Sequence, residues 1–150
     1  MTVQSNFSEG GQLEIVQHPH PILATVATPV TDFSTIPALV LTMRQAMKEH
    51  RGVGIAANQI GDPRAVCIVK GTVMVNPTVV KTSGRALLAL EGCLSVKASG
   101  EAYPRTAHDF ITVAFQNSKG EKVVQTFSDW DARIVQHELR HLNGKTIADA

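Results

Sequence analysis

The sequence predicts an α+β domain. Two stretches carry the three- and four-residue apolar repeat of amphipathic helices, several short β-branched runs read as strands, and one polar turn signal joins two of those runs as a hairpin. The chain has 150 residues, the size of a single domain, taken here as 1–150 with a polar leader over 1–11.

The elements follow in order. Leu13 to Val16 is a short strand. His18-Pro19-His20-Pro21 is an extended turn, because each proline biases its predecessor away from helix. Ile36 to His50 is a helix with Leu39, Val40, Met43, Ala46 and Met47 on its inner face; Asp32 or Ser34 is placed to cap it, and its two methionines serve as core filler. Gly52-Val53-Gly54 opens a loop that runs to Gly61. Ala65 to Val69 is a buried strand that takes Cys67 into the core as a small apolar residue. Val73–Val75 and Val79–Val80 flank Asn76-Pro77 as strand, bend, strand. Ala86 to Leu90 is an apolar run leading into Glu91-Gly92-Cys93. Ile111–Phe115 and Lys122–Phe127 form the hairpin around Asn117-Ser118-Lys119-Gly120. Ser128 or Asp129 caps a last helix, Trp130 to Leu142, which ends at Asn143-Gly144.

Composition excludes several functions. Fourteen basic and 13 acidic residues leave a net charge of +1, with no long like-charge run, so no broad nucleic-acid face is expected. No stretch approaches the roughly 18 apolar residues that cross a membrane, and the first residues lack a secretory signal pattern. Two cysteines do not make a disulfide scaffold, which places the chain in a reducing compartment, the cytoplasm.

The chemistry concentrates in His137-Glu138-Leu139-Arg140-His141. On a helix His137 and His141 lie about 40° apart and one turn along, so both rings reach one metal ion. Glu138 lies about 100° from His137, beside the ligands, where a general base acting on water would sit. The same wheel groups Ile134, Glu138 and His141, with Leu142 and Val135 beyond, and an acid among apolar residues needs a partner or a role. A third ligand must come from upstream: His18, His20, His50, His108 or a cysteine. Cys93, beside Gly92 and between Glu91 and Ser95, is the best of these. Two imidazoles and one thiolate make a tetrahedral site with one open position, suited to Zn2+ or Fe2+.

Three segments then carry a specific resemblance. Gly52-Val53-Gly54-Ile55-Ala56-Ala57-Asn58-Gln59, Glu91-Gly92-Cys93-Leu94-Ser95 and Gln136-His137-Glu138-Leu139-Arg140-His141-Leu142 resemble the signature motifs of peptide deformylases, in order and at similar spacing. His18-Pro19-His20-Pro21-Ile22-Leu23, Val75-Asn76-Pro77 and Pro104-Arg105 extend the similarity over about residues 13–145. The resemblance implies a peptide-deformylase-like fold, mostly antiparallel strands around a central metal-binding helix. It implies hydrolysis of N-formylmethionyl peptides to formate and a free amine, with the nascent chain as substrate and a transient contact with the ribosome. By matching position, Cys93, His137 and His141 bind one divalent metal ion and Glu138 is the general base and acid. Gln59 and the Leu94 N–H donate to the developing oxyanion, and Gly52 and Gly54 let the backbone approach a strand-like peptide. Glu91 and Arg105 form an ion pair supporting the cysteine loop.

The sequence departs from the family at Asn58, where proline is usual and whose loss is expected to loosen the loop, and at Ala24, where arginine is common. The chain ends soon after the metal helix, where many members continue. Arg140 stands where aspartate is usual, and a cation there opposes metal binding unless the side chain points away. Arg133 replaces an apolar residue of the pocket for the substrate's first side chain. Arg133, His137 and Arg140 share a stripe about 60° wide. That stripe either faces solvent or an internal ion pair, or it brings Arg133 into the pocket, where it would favour acidic or polar first residues. Three functions follow: a deformylase of N-formylmethionyl peptides, a divergent deformylase for another N-formyl substrate, or a weakly active relative that only binds formyl peptides.

Overall fold

The computed structural model describes residues 13–96 and 102–149. The polar leader over 1–11 lies outside them. The elements are α1 (Ile36–His50), β1 (Gly54–Ala56), β2 (Val66–Val69), β3 (Thr72–Thr82), β4 (Ala86–Glu91), β5 (Tyr103–His108), β6 (Phe110–Gln116), β7 (Lys122–Ser128) and α2 (Asp129–Leu142), with 3₁₀ turns at Pro21–Ala24 and Ala57–Ile60. Five strands form one sheet in the order β1-β2-β3-β6-β7, and β4 and β5 form a separate ribbon. Every strand pairing is antiparallel.

The continuous apolar run of β2 has a direct cause. Val66 and Ile68 pack into a cluster with Leu39, Met43 and Ala46 of α1, whereas Cys67 and Val69 pack into a second cluster with Val135, Leu139 and Leu142 of α2. The sheet centre is therefore covered on both faces, and alternation between apolar and polar residues disappears. All four β2 residues are buried, Cys67 fully. Burial also raises the Cys67 thiol well above its usual range, as befits a core residue. Of the two methionines in α1, Met43 is fully buried and Met47 packs at the edge of the first cluster.

Several expectations need correction. Leu13 to Val16 forms no strand; this segment is held instead by single bonds, such as the Val16 N–H to the Gln59 carbonyl at 2.7 Å. The N-cap position of α1 is Thr35, without a side-chain capping bond, because the Asp32 carboxylate is taken by the Ser34 N–H at 2.9 Å. The predicted loop from Gly52 to Gly61 contains β1 and a 3₁₀ turn, since Ile55 and Ala56 pair with Ile68 and Cys67. Asn76-Pro77 does not divide two strands. β3 runs through it with a register shift between Val75 and Thr78, Asn76 taking a φ of 51°. Ser128 holds the N-cap position of α2 but makes no side-chain bond there. β5 has no counterpart among the predicted elements: its Pro104 is confined to a two-stranded ribbon, where a missing N–H is tolerated.

α2 ends as anticipated. Gly144 has a φ of 77°, and a Cβ there would lie 2.9 Å from the Ala24 carbonyl, so only glycine closes this helix against the N-terminal turn.

Candidate metal centre

α2 carries two faces at once. Ala132, Val135, Leu139 and Leu142 anchor it to the sheet, and this anchoring presents His137, Glu138 and His141 toward the segment after β4. The ligand atoms of Cys93, His137 and His141 lie within 4.8 Å of one another, with Cys93 Sγ 3.3 Å from His141 Nε2. His137 Nδ1 is bonded to Glu91 Oε1 at 3.0 Å, which leaves Nε2 for a ligand. Among the described residues no other cluster of this kind occurs; His18, His20, His50, His108 and Cys67 stand outside it.

The donor set fits a metal ion. A thiol and two imidazoles converge, which makes a borderline-soft site of two nitrogens and one sulfur. Glu138, which lines the same cavity as Cys93 and His137, is buried, and its Oε1 has no partner. Buried polar atoms left this way cost stability unless a bound group or reactant completes them.

The electrostatics are uneven. Burial pushes Glu138 up to about 7, with the charge on Glu91 adding to it against His137. Burial opposes charge on His137, but bonds to Cys93 and Glu91 and the Glu138 charge outweigh it and carry the ring up to about 10. Burial, then the His137 charge, pushes His141 down to about 3. For Glu91 burial is again the largest influence and raises it, yet the bonds from His137 and Arg133 leave it below its usual range.

The expected support of the cysteine loop is rearranged. Glu91 does not pair with Arg105. It takes Arg133 Nη1 at 2.5 Å on one oxygen and His137 on the other, while Arg105 donates to the carbonyls of Thr146 and Asp149. Arg133 is reached first because α2 runs beside Glu91, whereas Arg105 sits across the β4–β5 ribbon at Ala89. Of the two readings of the arginine stripe, Arg133 meets both: it forms an internal ion pair, and it lines the cavity at the metal site. Arg140 makes no ligand contact. Its Nε and Nη2 are enclosed without partners, and burial, with Arg105 nearby, depresses its guanidinium.

Gln59 and Leu94 both lie beside the cluster. Gln59 is buried, held by the Ala56 N–H on its oxygen at 2.9 Å, and its amide nitrogen reaches Ser95 Oγ at 3.1 Å and Cys93 Sγ at 4.0 Å. Leu94 follows the ligand directly, and its carbonyl is held by Gln17 at 2.8 Å. Ser95, fully buried, is a contact that sequence reasoning misses; its only signal is position, two residues after the ligand and at the end of a motif. Asn58 does not loosen its turn. Its side-chain nitrogen donates to the His141 carbonyl at 2.8 Å and ties the turn to the metal helix.

A cavity of about 350 Å³ opens on the cluster, lined among others by Val53, Trp130, Arg133, Ile134 and Glu138. Gly54 borders it. A Cβ there would lie 2.6 Å from Glu138 Oε2 and 3.0 Å from Ile134 Cγ2, so the missing side chain makes room for the carboxylate. Gly54→Ala is expected to fold but to displace Glu138, lowering kcat/KM by about 10²-fold; steady-state kinetics beside a thermal melt would separate this from unfolding. At Gly52 the corresponding space is taken by the flexible Leu94 side chain.

A buried His-Glu-x-x-His helix, a converging thiol and a buried carboxylate at a cavity wall define a metal-dependent hydrolase. The family model for polypeptide deformylase matches residues 12–150. The peptide deformylase of Desulforudis audaxviator is 35% identical over 143 residues, covering 91% of each chain. That of Pseudothermotoga lettingae is 36% identical, over 79% of this chain and 69% of its own. Among solved structures, the actinonin-bound class I type b peptide deformylase of Acinetobacter baumannii superposes with a TM-score of 0.86 at 35% identity, over 91% of this chain and 96% of that one. The peptide deformylase of Thermotoga maritima gives 0.87 at 31% identity, over 92% and 96%. The chain belongs to the polypeptide deformylase family. It is a metallohydrolase, and the reaction it catalyses is removal of an N-formyl group.

Proposed function

We infer that Cys93, His137 and His141 hold one divalent ion, Fe2+ or Zn2+, and that Glu138 moves the proton in hydrolysis of N-formylmethionyl peptides. The observation that carries this is the buried Glu138 carboxylate, its Oε1 without a partner, beside the Cys93–His137–His141 cluster at the cavity wall. When bound, the metal supplies a Lewis acid that polarises the formyl oxygen and lowers the pKa of water.

The protein's own groups do the rest. Glu138, raised by burial to about 7, accepts a proton from water as the oxygen attacks the formyl carbon. Negative charge then grows on the formyl oxygen. The Gln59 amide, 4.0 Å from the Cys93 sulfur, and the Leu94 N–H are fixed donors near that charge. The C–N bond breaks, Glu138 returns its proton to the leaving amine, and formate and a free N-terminus result. Gly52 and Gly54 border the substrate's backbone, and Arg133 its first side chain.

A related class I type b peptide deformylase structure from Acinetobacter baumannii is bound to Met-Ala-Ser. The corresponding formyl-Met-Ala-Ser is the substrate to test. The expected result is one formate per peptide and one metal ion per chain; absence of formate release with any formyl peptide, in metal-loaded protein, would favour a binding-only relative. Nascent chains as natural substrate, transient ribosome contact and a cytoplasmic location follow from the same reading. No helix among the described residues is long and apolar enough to cross a membrane.

A further inference from the structure

The cavity at the metal cluster adjoins a second hollow, of about 410 Å³, at the end of α1. Arg51 and Gly52 line both, and Arg44, Met47, Lys48 and Lys70 complete the second. Its wall holds four cations and no acid. The surplus is local, because the whole chain carries a net charge of only +1.

These cations stand on fixed backbone. Arg44 and Lys48 lie one turn apart on α1. Arg51 closes that helix, its N–H donating to the Lys48 and Met47 carbonyls, and the Gly52 N–H donates to the Met47 carbonyl at 2.8 Å. The Lys70 N–H donates to the Val53 carbonyl at 2.8 Å, which brings the end of β2 to the same segment. Lys70 pairs with Asp131 at 2.5 Å; Arg44, Lys48 and Arg51 make no ion pair among the described residues. A helix C-terminus carries about half a negative charge, less than three unpaired cations supply.

The segment 51–54 leads from the catalytic carboxylate to this hollow. Gly54 is its inner end, since a Cβ there would lie 2.6 Å from Glu138 Oε2. Beyond Gly54 the way is closed, because Ile55 and Ala56 are fully buried. A peptide extended along Gly54 to Gly52, with its formyl end at Glu138, therefore leaves past Arg51. Neighbouring strands advance in step, so its third or fourth residue arrives opposite Arg51.

We propose that this hollow is a subsite for acidic side chains at the third and fourth residues of the N-formyl peptide. This rests on the deformylase reading and adds a substrate class to it. Continuity with the catalytic cavity favours a peptide over RNA, which needs a longer basic stripe than four cations around one hollow.

Three peptides isolate the charge: formyl-Met-Ala followed by Glu-Glu, Gln-Gln or Lys-Lys, each closed as an amide so that no terminal carboxylate intrudes. Formate release is measured with Zn-loaded protein, and the unformylated peptides are titrated into the same protein by calorimetry. Both kcat/KM and affinity should be about three- to tenfold higher for Glu-Glu than for Gln-Gln, the worth of one or two exposed ion pairs, with Lys-Lys lowest. The advantage should shrink toward unity at about 1 M salt, where the Debye length is about 3 Å.

Arg44 and Lys48 are exposed helix positions, where alanine is well tolerated. In Arg44→Ala with Lys48→Ala the Glu-Glu advantage should shrink, and in Arg44→Glu with Lys48→Glu the Lys-Lys peptide should lead. Equal values for Glu-Glu and Gln-Gln in the parent, an advantage that survives salt or the double substitutions, or no binding of any peptide overturns the proposal. So does a short oligouridine that binds the parent, not the variants, and leaves the peptides unranked, which would assign the hollow to RNA. Binding in the expected order without formate release would instead sink the deformylase reading and leave the charge preference standing.

Discussion

Glu138→Gln should lower kcat by about 10²- to 10⁴-fold, the usual worth of a positioned general acid–base group, while leaving metal content unchanged and the fold at least as stable. The two halves of this outcome belong together. Glu138 is 3% exposed, its Oε1 has no partner, and burial raises it to about 7. Ionising it in place is costly, because the unfolded carboxylate ionises near its usual 4.5 and the folded one only near 7. Between those values the folded state holds a proton that the unfolded state has released, so stability falls as pH rises through this window. A glutamine carries no such penalty. Thermal melts of metal-free protein at pH 8 should therefore show Glu138→Gln matching or exceeding the parent, and formate release should show it nearly inactive. The parent's kcat/KM should also fall as pH drops through the range in which Glu138 takes up its proton. Full activity in the variant would refute the assigned role.

The legibility of this molecule divides along physical lines. α1 is readable to the residue because a periodic apolar face needs only local information. The cluster is readable because metal ligation demands particular residue types at particular helical spacing, and the ligand atoms of Cys93, His137 and His141 do meet. What depends on distant partners is harder. The residues from Gly52 to Gly61 look like a loop because their glycines carry no strand signal, yet β2 supplies the partner that makes Gly54–Ala56 a strand. The Asn58 side chain finds its acceptor 83 residues away, on the His141 carbonyl. Glu91 pairs with Arg133 and not Arg105, which no spacing rule could decide, since both are distant in sequence and only the docking of α2 sets which is near. Trp130 reads from sequence as the first residue of a helix, and its place on the cavity wall follows only from where that helix lies.

Removing the metal should abolish activity, and its restoration should depend steeply on pH. A metal takes a neutral imidazole. His141, held down near 3, is already neutral at pH 7 and gives up no proton. His137, carried up to about 10 by its bonds to Cys93 and Glu91 against the burial that opposes it, is still protonated there. Binding must expel that proton, so the apparent affinity for Zn2+ should rise at least tenfold per pH unit as pH climbs toward about 10. The same proton governs the metal-free fold. Because the His137 value is raised above its unfolded 6.5, its contribution to stability is fully present below 6.5 and is lost as pH rises through about 10. Metal-free protein should therefore melt at progressively lower temperature across this window. Metal-loaded protein, with the ring already neutral and ligated, should not, so the gap between the two melting curves widens with pH. Isothermal titration in buffers of different ionisation enthalpy would count the released protons directly. A metal affinity that does not change with pH, or a gap that narrows, would mean that His137 is not a ligand.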